Sequence, residues 1–180
     1  HLNTLELFLT KTSVYWINED MEQPNKTRLL FDDLLEVVAS KKDTNICITT
    51  TTLPQAKYTI KFITTVQQHT WMQKYVSYMQ EYQTCLQSIP APNTAQVNNH
   101  NLRLTPHGLT WSTKMDKRIG SNMFAKGLCY VKNCDESSET FNVVFLECVP
   151  KIKSQSMTVT CDKLIKKEWI DAIEKCAQLH

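Results

Sequence analysis

The stretch MTVTCDKLIKKEWIDAIEKCA, residues 157–177, changes its hydrophobic period in the middle. Residues 157–161 alternate apolar and polar side chains, which is typical of a strand with one buried face. From Leu164 onward the apolar residues recur every three or four positions, which predicts an amphipathic helix. One stripe of this helix contains Leu164, Ile165, Trp169, Ile173 and Cys176. Asp162 stands at the change of period as a suitable N-cap. The stretch therefore predicts a strand that runs directly into a helix.

The same order occurs in the first half of the chain. Residues 45–51 and 58–64 are β-branched or alternating stretches, which predict two strands. The region from Val66 to Leu86 then has helical spacing, with the stripe Trp71, Met72, Tyr75, Val76, Met79 and Tyr82. The two halves share no detectable residue-level repeat, but each consists of strands followed by a helix with a central tryptophan.

A segment of different composition separates the two halves. Residues 88–101, SIPAPNTAQVNNHN, contain two prolines, four asparagines and no charged residue. Such a composition is typical of a linker or a long connection. We therefore predict a first domain at 1–88, a linker at 89–101 and a second domain at 102–180.

Several stretches resemble the pleckstrin-homology (PH-like) superfold. The ending of that fold, a last strand followed by a helix with a central tryptophan, is similar to Phe141-Asn142-Val143 together with 157–162 and 166–173, and again to 58–64 with 69–75. Its middle strand pair is similar to residues 28–38, RLLFDDLLEVV. The resemblance implies an α+β fold of two small antiparallel β-sandwich or barrel domains, each closed by a C-terminal amphipathic helix. It also implies that Trp71 and Trp169 plug the open ends of these sandwiches.

Two related architectures remain as alternatives. Tandem polo-box domains share the order of strands followed by a helix and have a similar domain length. A phosphotyrosine-binding domain is similar to the second half through Gly108-Leu109, 124–131 and 141–147. The first half, for its part, is short of the opening strand pair of the PH-like pattern.

Nothing in the chain has the pattern of a catalytic or cofactor site. Its three glycines, Gly108, Gly120 and Gly127, form neither a GxGxxG nor a GxxxxGK[ST] loop. The histidines are scattered at positions 1, 69, 100, 107 and 180, without HExxH spacing, and no GxSxG is present. The acidic pairs Asp32-Asp33 and Asp135-Glu136 fall at turns between strands. We therefore predict a protein that is not an enzyme and has no cofactor.

The seven cysteines are an odd number, which argues against a complete disulfide framework. Cys47, Cys148 and Cys161 lie in strand-like stretches and Cys176 on a helical stripe, so they are interpreted as buried thiols of an intracellular protein. The predicted location is cytoplasmic, with a membrane-peripheral or a nuclear location as alternatives. The alternative is a metal site of Cys129 and Cys134 with Cys148 or Cys161. Zinc sites usually have two tight cysteine pairs and this chain has one loose pair, so we predict no metal.

Positive charge is concentrated in the second half. Residues 1–90 carry eight basic and nine acidic side chains, and residues 91–180 carry twelve and nine. In phosphoinositide-binding PH domains a basic loop between the first strands binds phosphates through charge-assisted hydrogen bonds. The resemblance implies that role for Lys114, Lys117, Arg118 and Lys126. A pI near 8.2 argues against DNA sequence recognition. No apolar stretch is long enough to predict a transmembrane segment.

These observations predict an interaction module that docks its parent protein onto a protein partner through a strand edge or groove. An anionic phospholipid surface is a possible second ligand of the basic loop. Trp16 and Trp111, on early strands with polar neighbours, are the candidate partner-binding residues. The resemblance leaves two alternatives, a histone or nuclear-protein chaperone and a polo-box-like scaffold.

Overall fold

The computed structural model describes residues 5–18, 25–113, 118–124, 129–132, 135, 137–145 and 155–180. The described chain has an α+β fold with two α-helices and antiparallel sheets, as the sequence predicts at this level. It divides into two compact units, His1–Glu81 (unit 1) and Tyr82–His180 (unit 2). The division falls within the first helix.

Unit 1 contains two three-stranded sheets and most of a helix. The first sheet has the order β1(Leu5–Leu9)-β2(Ser13–Asn18)-β3(Asn25–Leu30). A single 3₁₀ turn, Phe31–Asp33, leads into the second sheet, β4(Leu34–Ala39)-β5(Asn45–Thr50)-β6(Lys57–Lys61). The helix α1(Thr65–Gln87) follows. The core of this unit contains Val14, Phe31, Ile46, Ile48, Ile60 and Tyr75.

Unit 2 contains one seven-stranded antiparallel sheet and the second helix. Its elements are β7(Ala95–Val97), β8(His100–Thr105), β9(Gly108–Ser112), β10(Arg118–Met123), β11(Cys129–Lys132), β12(Thr140–Phe145), β13(Gln155–Cys161) and α2(Lys163–Ala177). The strand order is β10-β9-β8-β7-β13-β12-β11, so the short strand β7 joins two meanders into one sheet. The side chains of Trp169, Val159 and Val143 are completely buried in its core.

The structure reveals a repeat between the units that the residue types conceal. In β1–β2, Leu7 pairs with Trp16, and in β8–β9, Leu102 pairs with Trp111. The two connecting turns have the same hydrogen bonds: Thr10 Oγ1 donates to Ser13 O at 3.1 Å, and Thr105 Oγ1 donates to Gly108 O at 3.0 Å. Thus β1, β2 and β3 correspond to β8, β9 and β10.

The second halves of the units correspond in the same way. The backbone N–H of Phe62, just after β6, donates to Thr44 O at 3.0 Å, and the N–H of Cys161 donates to Glu139 O at 2.9 Å. These bonds match β5 to β12 and β6 to β13. Each helix is then tied to a strand connection by its fourth residue, which is Gln68 in α1 and Lys166 in α2. The same alignment of the helices matches Trp71 to Trp169.

Three details differ from the sequence predictions. Within the predicted linker 89–101, Ala95–Val97 forms a strand, because its backbone pairs with β13 and β8 and buries Ala95 and Val97. Leu164 is 91% exposed instead of lying on the buried stripe, since helical geometry turns it far from Trp169. Cys47 is exposed because the alternation of β5 buries its neighbours Ile46 and Ile48.

Among the described residues, neither α1 nor α2 has the length and apolarity that a helix needs to cross a membrane.

Candidate docking groove in unit 1

An apolar groove of about 650 Å³ opens in unit 1 beside β6 and the first turns of α1. Strand β1 contributes to it as well, so the groove takes side chains from three elements. Its apolar lining consists of Leu7, Ile60, Phe62, Ile63, Val66 and Trp71. Ile63 and Val66 are 89% and 72% exposed, so a large part of this apolar surface faces solvent. Exposed apolar surface of this kind marks interaction sites.

The start of α1 is fixed by a reciprocal capping box. The N–H of Gln67 donates to Thr64 Oγ1 at 3.2 Å, and Gln67 Oε1 accepts the N–H of Thr64 at 3.3 Å. Because this box fixes the first turn, it also fixes Ile63 and Val66, which lie on either side of Thr64. Val66 is exposed because it lies off the buried stripe of the helix, and Ile63 lies just before the helix begins.

A buried glutamine holds the other side of α1 against the second sheet. Gln68 is 7% exposed, and its Nε2 donates to Asn45 O at 2.7 Å, with Asp43 O at 3.3 Å and Ser40 O at 3.4 Å. The β4–β5 connection is further ordered by Ser40, whose hydrogen bond is the main cause of a lowered pKa for Asp43. Polar contacts therefore join α1 to the second sheet, which contributes β6 to the groove.

Trp71 lies at the floor of the groove with one unsatisfied group. Its ring stacks on the Tyr75 ring, with centroids 5.7 Å apart and planes 4° from parallel. The centroid of the Phe62 ring lies 6.1 Å from that of Trp71. Burial raises the pKa of Tyr75. The indole Nε1 of Trp71 is buried and has no hydrogen-bond partner among the described residues. A buried N–H without an acceptor is unfavourable, so a ligand that offers an acceptor to this N–H would relieve the cost.

The charges that line the groove are positive. Lys61 of β6 and Lys74 of α1 contribute to the lining, and among the described residues no aspartate or glutamate does. Lys74 Nζ also lies 5.5 Å from the centroid of the Tyr78 ring. The groove therefore favours an apolar ligand that carries negative charge.

The predicted plug residues have different environments. Trp169 is completely buried, and its Nε1 donates to Thr94 Oγ1 at 3.0 Å. Trp71 is only half-buried. The predicted plug role thus fits Trp169 better than Trp71.

The two candidate partner-binding tryptophans are both half-buried. Trp16 contacts Tyr58 edge to face, with centroids 5.0 Å apart. Trp111 lies over Gly120 on the neighbouring strand, where a side chain would collide with its ring. Each ring has a packing partner within its own unit, and partner binding by either one stays a prediction.

The predicted anion site falls largely outside the described residues. Lys114, Lys117 and Lys126 lie outside the described residues. The fourth residue, Arg118, is exposed, and its guanidinium donates to Ser121 Oγ. On α2, Lys166 lies on the buried side of the helix. It is 4% exposed, and its Nζ donates to Asp135 O at 2.6 Å and Ser138 O at 3.1 Å.

Cysteines do not converge on a metal site in the part of the chain that the structure describes. Cys134 and Cys148 of the alternative metal site lie outside it. Cys85 and Cys176 of unit 2 are both completely buried, with their Sγ atoms 2.8 Å apart. The hydrogen bond between the two thiols lowers the pKa of Cys85 and raises the pKa of Cys176. Burial raises the pKa of Cys176 further.

Sequence reasoning missed the groove because it arises from tertiary packing. One signal was present: Thr64-x-x-Gln67 is a capping-box pattern with an apolar residue directly before it and another within it. This pattern predicts a helix start with apolar side chains on its outer face.

The sequence matches no family model and no curated protein.

Proposed function

We propose that this chain is a non-enzymatic interaction module that docks its parent protein onto a protein partner through the groove of unit 1. The observation that carries the proposal is the exposed apolar lining beside β6 and α1, with Ile63 and Val66 largely in solvent. Apolar grooves with a few polar groups are the usual form of peptide-docking sites. The two lysines of the lining favour a partner segment with acidic residues.

Support for a PH-like fold comes from unit 2. Its seven strands followed by a helix with a buried tryptophan agree with the seven-stranded sandwich and helical plug that the resemblance implies. Unit 1 agrees in element order but has six strands among its described residues. The proposal is therefore a double PH-like module in which unit 1 docks the partner.

Site-directed photo-crosslinking tests this function. A photoreactive phenylalanine analogue at Ile63, on the groove, is expected to crosslink one protein from an extract of the source cells, and mass spectrometry is expected to map the adduct to one acidic segment. Val66→Asp in the same protein is expected to abolish the adduct. The matched control carries the analogue at Leu164. This exposed residue of α2 corresponds to Val66 of α1 when the two helices are aligned, and it is expected to give no adduct.

Two outcomes contradict the proposal. One is an adduct pattern that is the same at Ile63 and Leu164, or that survives Val66→Asp. The other is binding to anionic liposomes alone, with no protein adduct, which would favour the basic loop around Arg118 as the functional surface.

A further inference from the structure

Two cysteines of unit 2 lie against each other at the ends of the two helices. Cys85 is in the last turn of α1, and Cys176 is in the last turn of α2. Both side chains are completely buried, and their Sγ atoms are 2.8 Å apart. Non-bonded carbon atoms pack at about 3.5–4.0 Å, and sulfur is the larger atom. The two sulfurs are therefore closer than an ordinary packing contact brings them.

The helix ends that carry these two sulfurs are held in place by further contacts. Tyr82, one turn before Cys85, is 1% exposed, and its hydroxyl oxygen lies 3.0 Å from His107 Nε2. Ser88 Oγ donates to the backbone oxygen of Cys85 at 2.7 Å. On α2, Ile173 is completely buried one turn before Cys176. The contact between the sulfurs thus belongs to two well-anchored helix ends.

The chemistry of the pair fits a disulfide better than a metal ion. Among the described residues, no group of three histidine, cysteine or carboxylate side chains comes together, whereas a structural zinc ion takes four such ligands. A disulfide needs two sulfurs only, about 2.05 Å apart. Closure of the bond therefore requires the two Sγ atoms to approach by less than about 1 Å.

The thiols of unit 2 differ in reactivity. The hydrogen bond with Cys176 is the main influence on Cys85 and lowers its pKa, which favours the thiolate, the nucleophilic form. Burial raises the pKa of Cys129 and Cys161, so these thiols keep their protons to higher pH. Cys85 is therefore the attacking sulfur of the pair. Because both sulfurs are completely buried, a small oxidant reaches them more readily than a bulky one.

From these observations we infer that Cys85 and Cys176 form a modification site, at which a peroxide oxidises the two thiols to a disulfide bond. The Cys85 thiolate attacks one peroxide oxygen and the O–O bond breaks, which leaves a sulfenic acid on Cys85. The departing hydroxide takes up the proton that the Cys85 thiol released. The Cys176 sulfur then attacks Cys85 Sγ, the S–O bond breaks, and a second water leaves with the Cys176 proton.

This reaction joins the last turns of α1 and α2. Two thiols and one hydrogen peroxide give one disulfide and two water molecules, with two electrons passing from the sulfurs to the peroxide oxygens. The bond links positions that are 91 residues apart, so its loop encloses nearly all of unit 2. A crosslink over a long loop stabilises a domain mainly by constraining its unfolded state. The site is separate from the docking groove, which lies in unit 1.

Peptide mapping of the full chain tests the site. The protein is fully reduced, freed of reductant, treated with a slight excess of hydrogen peroxide, alkylated and digested with trypsin. Cleavage after Lys74, Arg103 and Lys175 gives the peptides 75–103 and 176–180, each with a single cysteine. These two peptides are expected to be joined by a disulfide. Glutathione disulfide in place of peroxide is expected to form the bond about 10-fold more slowly or less, because it is too large to reach buried sulfurs.

Cysteine variants assign the role of each sulfur. Cys176→Ala is expected to leave a sulfenic acid on Cys85, which dimedone traps, because the second sulfur is missing. Cys85→Ala is expected to give no dimedone adduct on Cys176. Peroxide is expected to raise the melting temperature of the wild type by about 10 °C or more and to leave that of both variants unchanged. The matched control is Cys161→Ala, which removes another buried thiol of unit 2 and is expected to respond as the wild type does.

Three results would overturn the inference. The first is recovery of both peptides in alkylated form after peroxide treatment of the folded protein. The second is a bond from Cys85 to a cysteine other than Cys176. The third is an equal rate of bond formation in the folded protein and in urea, which would mean that the fold does not direct the reaction. A dimedone adduct on Cys176 in Cys85→Ala would overturn the assigned order of attack.

Discussion

The indole N–H groups of Trp71 and Trp169 differ in one hydrogen bond, and this difference predicts different responses to mutation. Trp169 is completely buried and bonded to Thr94, whereas Trp71 is half-buried and has no acceptor among the described residues. Trp169→Ala is therefore expected to lower the free energy of unfolding by about 3–5 kcal/mol, and Trp71→Ala by less.

The phenylalanine variants separate hydrogen bonding from size. Trp169→Phe is expected to be clearly destabilising, while Trp71→Phe is expected to be close to neutral because it removes an unsatisfied donor. Urea denaturation of the four variants checks both expectations. Equal losses for Trp71→Phe and Trp169→Phe would contradict the proposed difference between the units.

The Cys129 thiol predicts a loss of stability at alkaline pH. Burial and, to a smaller extent, the charge of Glu174 raise its pKa to about 11 from the ordinary 9.0. Because the folded thiol keeps its proton to a higher pH than the unfolded one, its contribution to stability is complete below about pH 9 and is lost as the pH rises toward 11. Cys129→Ala is expected to reduce the decline of the unfolding free energy over this range.

The control for this experiment is Cys47→Ala, since Cys47 is exposed on β5. It is expected to leave the alkaline decline unchanged. Denaturant melts at pH 8, 9, 10 and 11 give the comparison, and an equal decline in all three proteins would show that Cys129 makes no contribution.

At the scale of elements, one side chain ties each helix to the sheet of its unit. Gln68 and Lys166 each donate from a buried position to backbone oxygens of a strand connection. Gln68→Leu and Lys166→Met keep much of the apolar contact but leave these oxygens without their donors, so each is expected to cost about 1–3 kcal/mol. The exposed neighbour Lys167→Met is expected to stay within about 0.5 kcal/mol of the wild type. Thermal melts with comparable losses in all three variants would contradict this role.

The sequence predicts those elements whose signals are local. The helices and the strands β5, β6 and β13 follow from periodicity, because one face of each is buried over several residues. The strand β7 was missed because three residues in a segment rich in proline and asparagine become a strand only by pairing with β8 and β13. The groove was missed for the same reason, since it takes side chains from elements that are distant in sequence.

At the scale of the molecule, the repeat is conserved in geometry and hidden in residue type. Ser13 and Gly108 occupy the same turn position, and Gln68 and Lys166 make the same kind of tie with different donors. A backbone oxygen accepts equally from an amide or an ammonium group, so the fold constrains the bond more than the residue. This is why the order of elements could be predicted from the sequence and the residue-level repeat could not.

Amide hydrogen exchange of the free protein tests most directly whether the edge of β6 beside the groove, which has no strand neighbour among the described residues, is free for docking. The Phe62 N–H points toward β5, so alternation along β6 directs the N–H groups of Tyr58 and Ile60 toward β5 and those of Thr59 and Lys61 toward the opposite edge of the strand. The account predicts that Thr59 and Lys61 exchange roughly 100-fold faster than Tyr58 and Ile60, relative to their intrinsic rates, while Thr160 beside β7 is protected. Protection of Thr59 and Lys61 equal to that of Thr160 would contradict the account.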